Sequence, residues 1–280
     1  MGFVYAIAGL LILLLLLFAL TVFMVAPNRR RDVSRFCGGE FAHRGLFSHD
    51  PDDGRAENSP AAFREAAHRR CGVELDIQLT ADRQVVVFHD GNIKRMCGAD
   101  FRVSELTYEQ LCGYPLPNGE RIPLFSDVLE LLDGVPVICE VKTGKSVSDV
   151  ECCELAADMI CSYKGDICVE SFSPFIVRWF RKNRPELIRG QLSSAFRPGE
   201  EGLKPLSAFA LGNLLINFLG RPDFIAYDFA RDSIGFQLCR RLFSPFCIGW
   251  TARGDGQRRK ARERFGTVIF EEKERTEGRS

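Results

Sequence analysis

The chain has 280 residues, 46% of them hydrophobic and 26% charged, and its 37 basic and 37 acidic side chains cancel. With no net field to draw it to a polyanion, a nucleic-acid partner is not expected. Beyond the first 26 residues about 250 remain, enough for one large α/β domain with its own core.

From Phe3 to Ala26 there is no charged residue, and Leu10 to Phe18 is apolar throughout. As a helix, this stretch rises roughly 36 Å, which covers a hydrocarbon core of about 30 Å. A cleavable signal peptide wants a basic start and a shorter apolar run, yet residues 1–10 carry no Lys or Arg. An uncleaved transmembrane anchor over 3–26 is therefore expected. Arg29, Arg30 and Arg31 follow in a juxtamembrane linker, 27–39. By the positive-inside rule they place the remainder in the cytoplasm, attached to the cell membrane by a single pass. The 11 cysteines agree: all lie after residue 36, odd in number and without a C-x-x-C pair. A reducing compartment tolerates such thiols as small hydrophobes.

Short apolar runs bounded by turns then alternate with helical patterns, the mark of a parallel α/β fold. Strands are predicted at Glu40–Gly45, Val73–Leu79, Val135–Val141, Ile167–Phe172, Ile188–Leu192, Phe224–Tyr227, Cys247–Trp250 and Thr267–Phe270. Helical stretches such as Ser59–Arg70, Ser148–Tyr163, Pro174–Lys182 and Gly254–Arg264 separate most of them. Eight strands with helices between fit a (β/α)₈ TIM barrel, set at 40–272. Val85–His89 follows its predecessor after a turn too short for a parallel crossover, so it reads as the return strand of an antiparallel hairpin. The segment at about 91–134 reads as a small insertion at the barrel mouth. Leu203–Leu219 is nearly all apolar, either a barrel helix under a loop or a hydrophobic lip on the membrane. Its Asn213 and Asn217 are four apart and would share a helix face. Glu271 to Ser280 is highly charged and reads as a frayed tail, with 273–280 outside the barrel.

Polar residues are set into this apolar strand sequence at Phe41-Ala42-His43-Arg44-Gly45, Glu57-Asn58, Glu74-Leu75-Asp76, His89-Asp90 and Glu140-Val141-Lys142. Such residues are costly to bury and add little to a core. Glu74 and Asp76 are two apart and leave one face of a strand, a geometry that Glu140 and Lys142 repeat. Converging carboxylates repel one another unless a cation sits between them, and Mg²⁺ or Ca²⁺ prefers such oxygens. Two histidines, an arginine and a lysine complete a set suited to metal-assisted chemistry on a phosphate ester. In a (β/α)₈ barrel the site lies at the C-terminal strand ends, where His43, Glu74, Asp76, Glu140, Lys142 and Ser171 fall. His49 and His68 read as structural.

The order His-Arg-Gly, Glu-Asn, Glu-Leu-Asp-x-x-x-Thr-x-Asp, His-Asp and Glu-x-Lys resembles the glycerophosphodiester phosphodiesterase family from about Phe41 to Glu272, in a membrane-anchored bacterial form. The resemblance implies hydrolysis of glycerophosphodiesters to glycerol 3-phosphate and an alcohol. It implies His43 and His89 as acid and base, in an order left open, and the substrate's own hydroxyl as a nucleophile giving a cyclic phosphate. One divalent cation, Ca²⁺ or Mg²⁺, is expected on Glu74, Asp76 and Glu140, with Glu57 as a further candidate. Arg44 and Lys142 are expected on the phosphate and Ser171, Phe172, Gln191 and Trp250 on the substrate, with Asn58 either fixing the loop or contacting the substrate. The family's insertion covers the active site. Its last strand usually ends in Thr-Asp, where this chain has Ile269-Phe270-Glu271-Glu272.

Two other readings remain: a lysophospholipase D acting on membrane lysophospholipids with the same metal site, and a non-catalytic membrane scaffold. The scaffold predicts a lost motif residue, and none of His43, Glu74, Asp76, His89 or Glu140 is missing. Gly144-Lys145-Ser146 follows an apolar strand as in a phosphate-binding loop, but the glycine required five residues earlier is Cys139.

Overall fold

The computed structural model describes residues 1–28, 31–142 and 148–272; Arg29, Arg30, Gly144-Lys145-Ser146 and the tail 273–280 lie outside the described residues. Nine strands form one sheet: β1 Glu40–His43, β2 Gly72–Leu79, β3 Val85–Val87, β4 Val137–Val141, β5 Ile167–Ser171, β6 Arg189–Ser193, β7 Phe224–Asp228, β8 Phe246–Arg253 and β9 Thr267–Glu271. All but β3 run parallel in the order β1-β9-β8-β7-β6-β5-β4-β2, and pairing of β1 with β2 closes the ring. This is the (β/α)₈ barrel that the alternation predicts. The return strand is also present: β3 runs antiparallel to β2, with Ile77 opposite Val87.

Alternation along the strands builds the interior in two levels. Phe41, Ile138, Cys168, Ile248 and Ile269 pack together inside the barrel with Phe36 and Phe224. Two residues further along the same strands, and so on the same face, stand His43, Glu140, Glu170, Trp250 and Glu271. An apolar plug therefore fills the N-terminal half, and the polar residues collect above it. The opposite strand face carries Val73, Leu75, Ile77, Cys139 and Val141 against the helices. Helix Pro60–His68 covers part of that face with Ala62, Phe63 and Ala66, all fully buried. It starts where it does because Ser59 Oγ accepts from Ala62 N (3.2 Å) and Pro60 takes the first helical position.

After β3 the chain builds a second small core from Val86, Phe88, Ile93, Val103, Leu106, Leu111, Leu116 and Ile122. Helix Phe125–Leu132, within the segment read as insertion, packs instead into the main barrel core through Phe125, Val128 and Leu132. The apolar N-terminal helix spans Gly2–Val25, with mean hydropathy 3.0, and its apolar stretch is not buried by the rest of the chain. Only its end is engaged. Val25 packs with Leu214, Phe236 and Cys239, its carbonyl accepts from Asn217 Nδ2 (3.1 Å), and Arg221 donates to the Phe23 and Ala26 carbonyls.

The shared face expected for Asn213 and Asn217 does not form. The helix Pro205–Gly212 ends before Asn213, and Leu214 adopts φ +57°, which interrupts the helical path. Asn213 Nδ2 caps back onto the Phe209 carbonyl, whereas Asn217 is fully buried under the end of the N-terminal helix.

Candidate active site

The carboxylates converge as the period-2 reading expects. Ligand oxygens of Glu74 and Asp76 (β2) and Glu140 (β4) lie within 4.8 Å of one another, and all three residues are buried. Register places Asp76 beside Glu140 on the neighbouring strand. Lys142 Nζ sits between them, 3.2 Å from Asp76 Oδ1 and 3.0 Å from Glu140 Oε1. Burial works against its charge, but Glu140 and Asp76 outweigh burial and raise its pKa. Burial, with Asp76 and Glu140 alongside, pushes the Glu74 carboxyl well up, and burial likewise raises Glu140 despite Lys142. Asp76 is buried too, yet Lys142, His89 and Arg44 hold its pKa low. A crowded set of hard oxygens, two of them disfavoured as anions for want of positive charge, fits a divalent cation.

The turn after β1 aims the next group. Arg44 and Gly45 both take positive φ (+55° and +80°), and a Cβ on Gly45 would stand 3.0 Å from that of Ala62, so glycine is needed there. This fold-back brings Arg44 N to Glu74 Oε2 at 3.1 Å and its guanidinium to Glu57 Oε1 at 2.8 Å. Glu57 is held further by Arg95 at 2.6 and 3.0 Å. Both Glu57 oxygens are taken by guanidinium groups, and Glu57 is not among the three converging carboxylates, which leaves its reading as a further cation ligand without support.

Both motif histidines open onto one cavity of about 1310 Å³, lined also by Arg44, Glu74, Glu140 and Lys142. Each has a carboxylate on Nδ1: His43 has Glu271 Oε1 at 2.8 Å, and His89 has Asp90 Oδ1 at 2.7 Å. His43 Nε2 is 3.9 Å from Glu74 Oε2. Burial lowers the His43 pKa, against the pull of Glu271. Burial pushes Glu271 up, but His43 and Arg253 prevail and bring it down to about 2.

Glu271 is the residue that sequence reasoning missed. Read as the start of a frayed tail, it ends β9 and is 7% exposed. Its position two residues after inward Ile269 was the available signal. His49, read as structural, stacks edge-on against Phe47 and stands 3.7 Å from Glu271.

The expected substrate contacts divide. Phe172 and Trp250 line the cavity in an edge-on pair, 5.7 Å between centroids, and Phe172 continues to Phe196 at 6.0 Å. Ser171 reaches the cavity wall, but its Oγ donates to the Val141 carbonyl (2.7 Å) and accepts from Ser173 N. Gln191 points away: its buried amide donates to the Ser171, Phe172 and Leu192 carbonyls, each 3.1 Å. Asn58 is buried beneath the site, where Nδ2 donates to Asp76 Oδ2 at 2.8 Å. Gln191 thus acts on backbone rather than on the cavity, unlike the substrate contact expected of it, and Asn58 takes the fixing role of its two expected ones, on Asp76.

Fold and site together define a (β/α)₈ barrel protein with a carboxylate donor set at its C-terminal mouth. Residues 43–223, more than half of the chain, match the model of the glycerophosphoryl diester phosphodiesterase family. The chain belongs to that family. It is 33% identical to a lysophospholipase D of Rattus norvegicus over 132 residues, 42% of this chain and 40% of that protein. To a glycerophosphodiester phosphodiesterase of Caldanaerobacter subterraneus it is 30% identical over 162 residues, 54% of this chain and 65% of that one. These matches take in less than two thirds of each relative's length. Among solved structures, a phosphodiesterase of Oleispira antarctica in complex with the product sn-glycerol-3-phosphate aligns with TM-score 0.67 and 18% identity, covering 84% of this chain and 93% of that one. A glycerophosphodiester phosphodiesterase of Parabacteroides distasonis aligns with TM-score 0.60 and 22% identity, over 84% and 92%.

Proposed function

We propose that the chain hydrolyses glycerophosphodiesters to glycerol 3-phosphate and an alcohol, with one divalent cation held by Glu74, Asp76 and Glu140. The observation that carries this reading is the meeting of two carboxylate-supported imidazoles and three buried carboxylates around a single cavity. The cation, Ca²⁺ or Mg²⁺, supplies positive charge against the phosphate oxygens when bound. Arg44 and Lys142 add fixed charge toward the same oxygens. Glu271, kept ionised, holds a proton on His43 Nδ1 and leaves Nε2 bare, and burial keeps that ring neutral. His43 is thereby the base that takes the proton from the attacking hydroxyl. Proton return to the leaving alcohol falls to His89, oriented by Asp90.

Anchoring belongs to the same proposal: Gly2–Val25 spans the cell membrane, 27–39 links it to the barrel, and the barrel lies on the cytoplasmic side. Support comes from the helix's length and apolar surface, from the arginines after it and from an odd number of cysteines without a C-x-x-C pair.

A second substrate, a lysophospholipid, is favoured by one observation. One cavity wall is apolar, with Phe172, Phe175, Phe196, Leu203, Leu211 and Trp250, and the helix carrying Leu211 exposes Leu206 and Phe209. An acyl chain fits such a wall. The test uses the full-length protein in detergent with glycerophosphocholine and lysophosphatidylcholine, with and without chelator. Chelator-sensitive glycerol 3-phosphate from the first is the expected result. Lysophosphatidic acid from the second alone moves the activity to a lysophospholipase D, and silence on both, across head groups and metals, returns the scaffold.

A further inference from the structure

One buried carboxylate has no role in the mechanism above. Across β2, β4 and β5 the register sets Asp76, Glu140 and Glu170 side by side at one level of the barrel interior. The next position along that level is Gly190 on β6. It has no side chain, and the Phe224 ring fills the space: a Cβ there would fall 2.2 Å from the ring. Glu170 therefore has a carboxylate on one side and an aromatic ring on the other. It is 2% exposed, it lines the cavity, and its Oε2 has no hydrogen-bond partner among the described residues. Lys142 is engaged by Asp76 and Glu140 instead. Burial, with Glu140 and Asp76 alongside, drives the Glu170 carboxyl well up.

A buried polar group without a partner destabilises the fold, the more so if charged. Nothing in the packing calls for a carboxylate here, since a hydrocarbon would suit the flank of Phe224 better. Chemistry at the cavity supplies the reason. We infer that Glu170 is a fourth carboxylate donor to the divalent cation held by Glu74, Asp76 and Glu140, an inference that rests on the metal site proposed above. Three carboxylates leave donor positions open, because Ca²⁺ takes 6–8 oxygens and Mg²⁺ six. The charges also balance: four carboxylates stand against Arg44, Lys142 and a dication. Without the ion, four buried carboxylates would face only two fixed cations.

The test titrates Ca²⁺ by calorimetry into the chelator-stripped full-length protein in detergent. Glu170→Gln, Glu170→Asp and Glu140→Gln are compared with the wild type, and melting of each is followed with and without the ion. Glu170→Gln is expected to weaken Ca²⁺ by at least about 10- to 100-fold, the loss typical of outer-shell partners, which a direct donor should equal or exceed. Its metal-free melting temperature should be no lower than wild type, since a repelling buried carboxylate is gone, while the rise on adding Ca²⁺ shrinks. Glu170→Asp keeps the charge, shortens the reach and should also bind more weakly. Wild-type Ca²⁺ affinity in both Glu170 variants, with Glu140→Gln weakened, overturns the fourth donor alone. Unchanged affinity in Glu140→Gln as well overturns the metal site itself.

Discussion

Glu271→Gln removes one charge and almost no volume from a residue 228 positions away from the histidine it supports. Burial pushes the Glu271 carboxyl up, yet His43 and Arg253 bring it from an ordinary 4.5 down to about 2. A drop of about 2.5 at ~1.36 kcal/mol each amounts to about 3 kcal/mol of preference for the ionised form. That figure is an upper bound on the coupling to His43, because Arg253 shares the carboxylate at 2.8 Å. If the charge stabilises the imidazolium formed as His43 takes a proton, its loss slows the chemical step by up to roughly 10²-fold. Gln also withdraws an anion from His43, so the acid limb of the rate profile should move to lower pH. Folding carries the same sign: a carboxyl held below its unfolded value stabilises above about pH 4.5, and that contribution is lost as pH falls toward about 2. The variant should therefore be less stable than wild type at neutral pH and converge with it in strong acid. Initial rates on glycerophosphocholine from about pH 5 to 9, with melting followed over the same range and below, read both effects. Rates within threefold of wild type, or a slowed enzyme whose acid limb has not moved, would refute this role for Glu271.

Glu140→Gln should abolish chelator-sensitive turnover, and near-normal activity with the usual metal response would remove it from the ligand set. His43→Ala and His89→Ala should each cost roughly 10²–10⁴-fold in kcat, the range of a lost proton-transfer group. Gln191→Ala strips donors from three buried carbonyls, so about 1–3 kcal/mol of stability should go while KM stays; an altered KM with unchanged melting would return Gln191 to the substrate. Protease added to intact cells should spare the barrel, and cleavage within it would reverse the cytoplasmic placement.

Local pattern carried most of the fold. All eight parallel strands begin and end within a few residues of their predicted positions, because apolar runs closed by turns are a property of neighbouring residues. The hairpin at Val85 was legible for the same reason, a connection too short to cross over. Glu74, Asp76 and Glu140 could be grouped because a strand repeats every two residues and a barrel places its strand ends at one mouth.

What the sequence by itself determined was thus which residues face inward at the C-terminal ends of which strands. Tertiary structure decided what each of them touches. Closure of the ring lays β9 against β1, and only that contact turns the charged end of the last strand into the carboxylate on His43. Glu57 was a further candidate ligand by resemblance but lies where Arg44 and Arg95 can reach it. Gln191 sits one residue off the inward positions of β6, so its amide meets backbone rather than cavity. Glu170 shares with Glu140 an inward place two residues after an apolar strand position, yet its far side faces Gly190 and the Phe224 ring. Periodicity states a direction for each side chain, whereas partners follow from closing a chain on itself across hundreds of residues, and no local pattern encodes that distance.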